Sequence, residues 1–274
     1  MTREQLFEQI KKKNSYLCIG LDTDLRRIPR HLLSHQNPVL EFNRQIIEAT
    51  ADLCVAYKPN LAFYEALGAK GWATLEETMK LVPQDIFTIA DAKRGDIGNT
   101  SELYARAFFE ELPFNALTVA PYMGEDSIRP FVRPGKWVIV LALTSNPGSQ
   151  DFQMLPIKGE EHQLLYQHVL RATAGWGDAD HLMYVVGATQ ADYVTKVREI
   201  VPDHFLLVPG VGTQGGSLQE ISRLGMNSQC GLLVNSSRQI LYASSGEDFA
   251  ERARQEALTI QQEMQQYLEK YLCA

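Results

Sequence analysis

Long apolar runs are missing from this chain of 274 residues. The longest, such as Trp137 to Leu143, fall far short of the roughly 20 residues that span a bilayer, so no membrane partner is expected. The amino terminus, Met1 to Asn14, is polar and carries Lys11-Lys12-Lys13 with no apolar stretch long enough for a signal peptide behind it. A soluble, cytoplasmic protein is the expectation. Cysteine is scarce and scattered: Cys18, Cys54, Cys230 and Cys273 are widely spaced, and three lie in apolar runs. That spacing suggests neither a disulfide framework nor a zinc site, and predicts reduced, mostly buried thiols. Positive charge is also short. The formal net charge is -7 with pI ≈ 5.4, and no Lys/Arg stripe interleaved with aromatics occurs. Nucleic acid is therefore not an expected partner, and an anionic ligand would need a local cationic site.

What the chain does have is enough apolar content, 45%, to bury a large core. Length alone allows two ordinary domains or one barrel. Short apolar runs rich in β-branched residues recur at Tyr16 to Leu21, Leu53 to Tyr57, Ile86 to Ala90, Ala116 to Ala120, Trp137 to Leu143, Leu182 to Gly187, Phe205 to Pro209 and Gly231 to Asn235. Helical periodicity fills the gaps, for example Val39 to Ala51 (Phe42, Ile46, Ile47, Ala49) and Ser101 to Leu112 (Leu103, Ala107, Phe108). Runs apolar on both faces fit parallel strands covered by helices. The expected fold is α/β, a single (β/α)8 TIM barrel over residues 1–274 with its active site at the C-terminal ends of the strands. A doubly wound open sheet is the competitor. A final helix, roughly Glu247 to Leu272, would close the array through Phe249, Ala253, Ala257, Ile260, Met264 and Leu268. Asn146 to Gly159 reads as a loop and a candidate mobile lid.

The most informative segment is Asp91-Ala92-Lys93-Arg94-Gly95-Asp96, which places two acids and two cations at the end of the third run. Strand alternation puts Asp91 and Lys93 on one face, with Ala92 and Arg94 on the other. Gly95 is read as permitting a turn, leaving Asp96 beyond the strand. A structural ion-pair cluster would explain this segment alone. Other strand ends carry Asp22, Lys58, Thr144 and Ser145, each with an ordinary explanation as a cap or a solvated charge. Together they form one polar mouth, and clustered ionisable groups are costly unless paired or used. Past the seventh run lies Pro209-Gly210-Val211-Gly212-Thr213-Gln214-Gly215-Gly216, and past the eighth Asn235-Ser236-Ser237-Arg238. Phosphate binds at this corner of many such barrels, and Arg238 would add a bidentate donor pair. The pattern predicts a phosphorylated small molecule facing an Asp/Lys cluster.

These blocks resemble the orotidine 5'-phosphate decarboxylase family, and more narrowly its longer bacterial branch. The family signature Asp-x-Lys-x-x-Asp stands as Asp91, Lys93 and Asp96. Further blocks run in family order: Gly20-Leu21-Asp22, Tyr57-Lys58-Pro59-Asn60, Ser145-Asn146-Pro147-Gly148, Gly210 to Gly215, and Arg238. The resemblance implies a carboxy-lyase of de novo pyrimidine biosynthesis that turns orotidine 5'-phosphate into uridine 5'-phosphate and CO2 without a cofactor or metal. It implies catalytic roles for Lys93, Asp91, Lys58 and Asp96. Substrate contacts would come from Asp22, Thr100, Ser145, Gln214, Ser237 and Arg238, and a homodimer with shared active sites would take Asp96 and Thr100 from the other subunit. Departures from the shorter branch lie in the lid and in residues 151–180, whose contacts do not carry over.

Three other chemistries fit parts of the pattern. A Mg²⁺-dependent decarboxylase on the same barrel would recruit Asp22, Asp91 and Asp96, but the interleaved Lys58 and Lys93 would repel the cation. An aldolase would use Lys93 or Lys58 as a Schiff-base nucleophile. A noncatalytic nucleotide-binding relic would not need an intact Asp91 and Lys93.

Overall fold

Each of the eight apolar runs becomes a strand in the computed structural model, which describes residues 1–159, 163–212 and 215–272, with side-chain detail at all but 190 and 191. The strands are β1 (Leu17–Gly20), β2 (Ala56–Lys58), β3 (Phe87–Arg94), β4 (Ala116–Val119), β5 (Trp137–Leu143), β6 (Leu182–Val186), β7 (Phe205–Pro209) and β8 (Leu232–Ser236). All pair in parallel and in sequence order, and Leu17↔Val234 and Cys18↔Asn235 join the first strand to the last. That closure excludes the open sheet. The fold is a (β/α)8 TIM barrel.

Two strand bounds depart from expectation. Leu53 belongs to the turn that ends the preceding helix, its N-H donating to Thr50 O (3.0 Å), so β2 starts later. β3 runs on to Arg94, four residues past the expected Ala90, and carries the charged hexapeptide partly within the sheet.

Large side chains fill the N-terminal end of the barrel. Trp137 meets Phe87 and Phe205 edge-on, at 6.1 and 6.3 Å between ring centroids, and its indole N-H donates to Met1 O (3.0 Å). The helix Arg3–Lys13 thus lies across the bottom and leaves the opposite rim for chemistry. The last helix, Phe249–Tyr271, packs on the helix Pro38–Thr50 through stacked Phe249 and Phe42 (5.0 Å). Gln261 takes the buried place expected of Ile260, because its amide donates to Lys13 O and Asn14 O at the end of the first helix. The helix Gly98–Arg106 continues into a π-turn, Ala107–Glu111. The wider turn lets consecutive Phe108 and Phe109 both face inward, while Leu103, expected on the core face, is exposed. Cys18, Cys54 and Cys230 are buried and free, whereas Cys273 lies outside the described residues. No helix among the described residues is long and apolar enough to cross a membrane.

His204, just before β7, is buried against the Tyr184 ring, and neither ring nitrogen has a hydrogen-bond partner among the described residues. Burial first, then the charges of Arg3 and Arg198, push its pKa from 6.5 down to about 4. Between those values the unfolded chain binds the extra proton and the folded chain does not. Stability therefore falls as pH drops from 6.5 toward 4 and loses no more from this residue below that. His204→Phe is expected to remove about 2–3 kcal/mol of the acid destabilisation between pH 7 and 4.5. Urea unfolding of both chains across that range checks it; parallel pH curves would contradict it.

Candidate active site

Closing the barrel brings the strand-end residues together around one mouth made of two adjoining lobes. One, of about 180 Å³, is lined by Asp22, Asn60, Gly210, Val211, Asn235, Ser236, Ser237 and Arg238. The other, of about 260 Å³, is lined by Lys93, Thr118, Leu141, Thr144, Ser145, Asn146, Val185 and Leu207. Lys58, Asp91 and Pro209 line both, so the charged pair stands where the lobes meet. A larger, mostly apolar hollow of about 340 Å³ lies by the N-terminal ends of β3 and β4 and holds none of the expected site residues. Barrel chemistry belongs at the other rim.

Asp91 is gripped from two sides. Lys58 Nζ lies 2.7 Å from its Oδ2 and Lys93 Nζ 2.5 Å from its Oδ1. The Lys58 and Asp91 side chains are only 5% and 10% exposed, whereas Lys93 is 50% exposed and open to the lobe. Burial alone would neutralise Asp91, but the Lys58 and Lys93 ammoniums more than offset it and hold the carboxyl well below its usual range. Burial likewise works against the Lys58 ammonium, yet Asp91 and then Asp22 outweigh it and keep that amine above its usual range. The two are locked as ions.

Asp91 and Lys93 share a face, as strand alternation predicts, but the route differs. Pairing between β3 and β4 slips between Ala90 and Arg94, and Lys93 stands in the left-handed region at φ 49°. Gly95 does not supply the turn. Its φ is not positive; a Cβ there would sit 3.1 Å from Ala120 O, so glycine serves a close approach of two backbone segments. Arg94 points away from the mouth, paired with Glu65 and set against the Tyr104 and Phe108 rings.

Asp22 Oδ1 is buried with no hydrogen-bond partner among the described residues, and the side chain lines the first lobe. Its backbone is well held: Tyr242 Oη donates to Asp22 O (2.8 Å) and accepts from Asp24 N, while Tyr64 Oη donates to Leu21 O. Gly20 has a direct reason. A Cβ there would fall 1.9 Å from Ser237 Oγ, so a larger residue would displace the Ser237 hydroxyl from its place in the lobe. Ser237 and exposed Arg238 line the same lobe beside Gly210, and Gly210 and Gly212 both have positive φ (96° and 75°). Gln214 lies outside the described residues. Asp96 and Thr100 line neither lobe; Asp96 Oδ1 accepts from Ile97 N (2.8 Å), and Thr100 is exposed on the following helix.

The segment Asn146 to Gly159 is more structured than a loop. Ser149–Phe152 is helical, Gln153 accepts from Thr144 N (2.7 Å), and Pro156 bridges to Leu164. These ties leave the Asn146–Gly148 turn beside the second lobe.

Residues 15–253 of the chain match the family described as Orotidine 5'-phosphate decarboxylase / HUMPS family. The chain belongs to that family. It is 58% identical to the orotidine 5'-phosphate decarboxylase of Flavobacterium johnsoniae over 273 residues, covering 98% of this chain and 99% of the relative. Among solved structures, the Leishmania donovani OMP decarboxylase superposes with a TM-score of 0.79 at 37% identity, covering 95% of this chain and 99% of that one. The Leishmania donovani UMP synthase gives 0.81 at 39% identity; 94% of this chain is covered, but it spans only 56% of that longer one. Orotidine 5'-phosphate decarboxylase membership thus extends over both lobes and the β3 hexapeptide. It does not by itself reveal the site residues that sequence reasoning passed over, Thr118 and Tyr242, or gave no role within the blocks it quoted, Asn60 and Asn235. Each looks like an ordinary strand, cap or helix residue until the barrel is closed.

Proposed function

We propose that this chain decarboxylates orotidine 5'-phosphate to uridine 5'-phosphate, the closing step of uridine monophosphate synthesis, without a cofactor. The observation that carries the reading is the Asp91 carboxylate held between Lys58 and Lys93 where two lobes meet. Loss of CO2 from C6 of the pyrimidine leaves an electron pair in an in-plane orbital that the ring does not delocalise. Fixed charge has to stabilise it. Lys93, the exposed ammonium of the cluster, stabilises the carbanion and returns a proton to C6. Asp91 orients Lys93 and stands near the departing carboxylate, and Lys58 neutralises Asp91 and reaches the ribose. The buried Asp22 oxygen, without a hydrogen-bond partner among the described residues, suits a ribose hydroxyl. Arg238, Ser237 and Gln214 hold the phosphate and Ser145 the base, so binding energy from the far end of the substrate positions C6. Expression in a bacterium lacking its own orotidine 5'-phosphate decarboxylase tests the activity in cells. Growth without added pyrimidine is expected; continued auxotrophy with the protein present in folded form would reject it.

The working unit we propose is a cytoplasmic homodimer in which residues 1–274 of each subunit form one catalytic domain and Asp96 and Thr100 complete the partner's site. Support comes from apolar side chains exposed around those two residues: Ile97, Leu103, Met123 and Tyr122, the last 91% exposed. Large apolar patches of this kind mark interfaces. Mixing inactive Lys93→Ala with inactive Asp96→Ala protein is expected to restore roughly a quarter of the activity on random reassortment, because one site per mixed dimer regains both groups. No recovery after subunit exchange would put Asp96 in its own subunit's site.

A further inference from the structure

Thr118, fully buried in β4, is bonded in a way that only one proton arrangement satisfies. Its Oγ1 accepts from Ala92 N (3.0 Å) and Lys93 N (2.9 Å), and stands 3.1 Å from Asp91 Oδ1 and 3.5 Å from Ala90 O. A hydroxyl has two lone pairs and one proton. The two N-H groups occupy the lone pairs, so the proton goes to an acceptor, and the ionised Asp91 oxygen is both nearer and charged. Thr118 is thereby a fixed donor to Asp91.

The two amides are the ones displaced by the slip in β3–β4 pairing, where Lys93 adopts its left-handed backbone. Such a conformation is uncommon for a residue other than glycine and persists only when its surroundings enforce it. Thr118 takes up the freed N-H groups on the mouth side. On the other side Arg94 is fixed by Glu65 and by Ala92 O (3.1 Å). The backbone from which Lys93 reaches into the lobe is held from both directions, and the lobe it enters is lined by apolar Leu141, Val185 and Leu207.

We propose that Thr118 is a positioning residue for the decarboxylation, orienting Asp91 and fixing the kinked backbone that aims Lys93 at the reacting carbon. This rests on the reading of Asp91 and Lys93 as the catalytic pair. Valine matches threonine in shape but leaves two N-H groups unpaired and removes one of the three side-chain donors to Asp91. Serine keeps the oxygen and drops only the methyl group.

The test compares Thr118→Val and Thr118→Ser in steady-state turnover of orotidine 5'-phosphate, with uridine 5'-phosphate binding and thermal melting measured alongside. Thr118→Val is expected to lower kcat roughly 100-fold, the scale of a small misplacement of a reacting group. KM and product binding should hold, because the phosphate and ribose contacts lie in the other lobe. Thr118→Ser should keep most of the turnover. Thr118→Cys, with a poor donor and acceptor, takes the place of the valine variant if that chain does not fold. A folded valine or cysteine variant as active as the serine variant would overturn the proposal, as would equal losses in both. Lys93→Ala measured in the same series separates the two levels: if it still turns over, the catalytic pair itself is wrong; if it is dead while Thr118→Val is active, only the role of Thr118 falls.

Discussion

Lys93→Ala is expected to lose at least about 10⁴-fold in turnover, since on the proposed mechanism it removes both the charge beside C6 and the proton donor, while the chain stays folded and still binds uridine 5'-phosphate. Lys93 is half exposed, and without it Asp91 keeps Lys58 and Thr118 as donors. The melting temperature should therefore move little, because surface-side substitutions usually fall within about 0.5 kcal/mol. Turnover, melting and calorimetric product binding on one preparation decide it. Near-normal turnover would remove Lys93 from the mechanism.

Asp91→Ala should fail in both respects. Lys58 is 5% exposed, and its charge is sustained mainly by Asp91. Removing the carboxylate leaves a buried ammonium with Asp22 as its remaining carboxylate neighbour among the described residues, a change that costs about 3–5 kcal/mol in comparable buried pairs. Lys93 loses its orienting partner at the same time, so turnover falls with stability. Ground-state repulsion of the substrate carboxylate need not contribute for this to hold. Adding Lys58→Met removes the stranded charge and should recover most of the lost stability without recovering turnover. An Asp91→Ala chain as stable as the unaltered one would show that the ion pair does not hold this rim together.

The contrast between the two substitutions follows from burial, which the sequence does not display. What it does display are the strands, because parallel strands covered on both faces must be apolar throughout, and runs such as Leu182 to Val186 stand out. Charged residues at the ends of such runs are equally conspicuous, so Asp22, Lys58, Asp91 and Lys93 were legible before any fold existed. Thr118 was not, since a β-branched residue in a strand is ordinary and its significance depends on which backbone amides a bulge sets free. The bulge itself was hidden: alternation gave the right face for Lys93 by a route the chain does not take, and Gly95 drew the credit for a turn that Lys93 makes. Leu103 misled for a simpler reason. Helical spacing back from Phe108 fits Ser101 and Ala105 as well as Leu103; the chain buries those two small residues and leaves Leu103 on a surface we assign to a second subunit.

On the proposed mechanism, fixed protein charges alone drive the decarboxylation. The most direct test is the ultraviolet absorbance of orotidine 5'-phosphate mixed with the purified chain in EDTA, followed by borohydride treatment and mass measurement of the protein. The expected result is loss of substrate absorbance with formation of uridine 5'-phosphate, at a rate indifferent to the chelator and with no covalent adduct. A folded chain that binds uridine 5'-phosphate but leaves the absorbance unchanged, needs added metal, or traps substrate on Lys93 or Lys58 would contradict it.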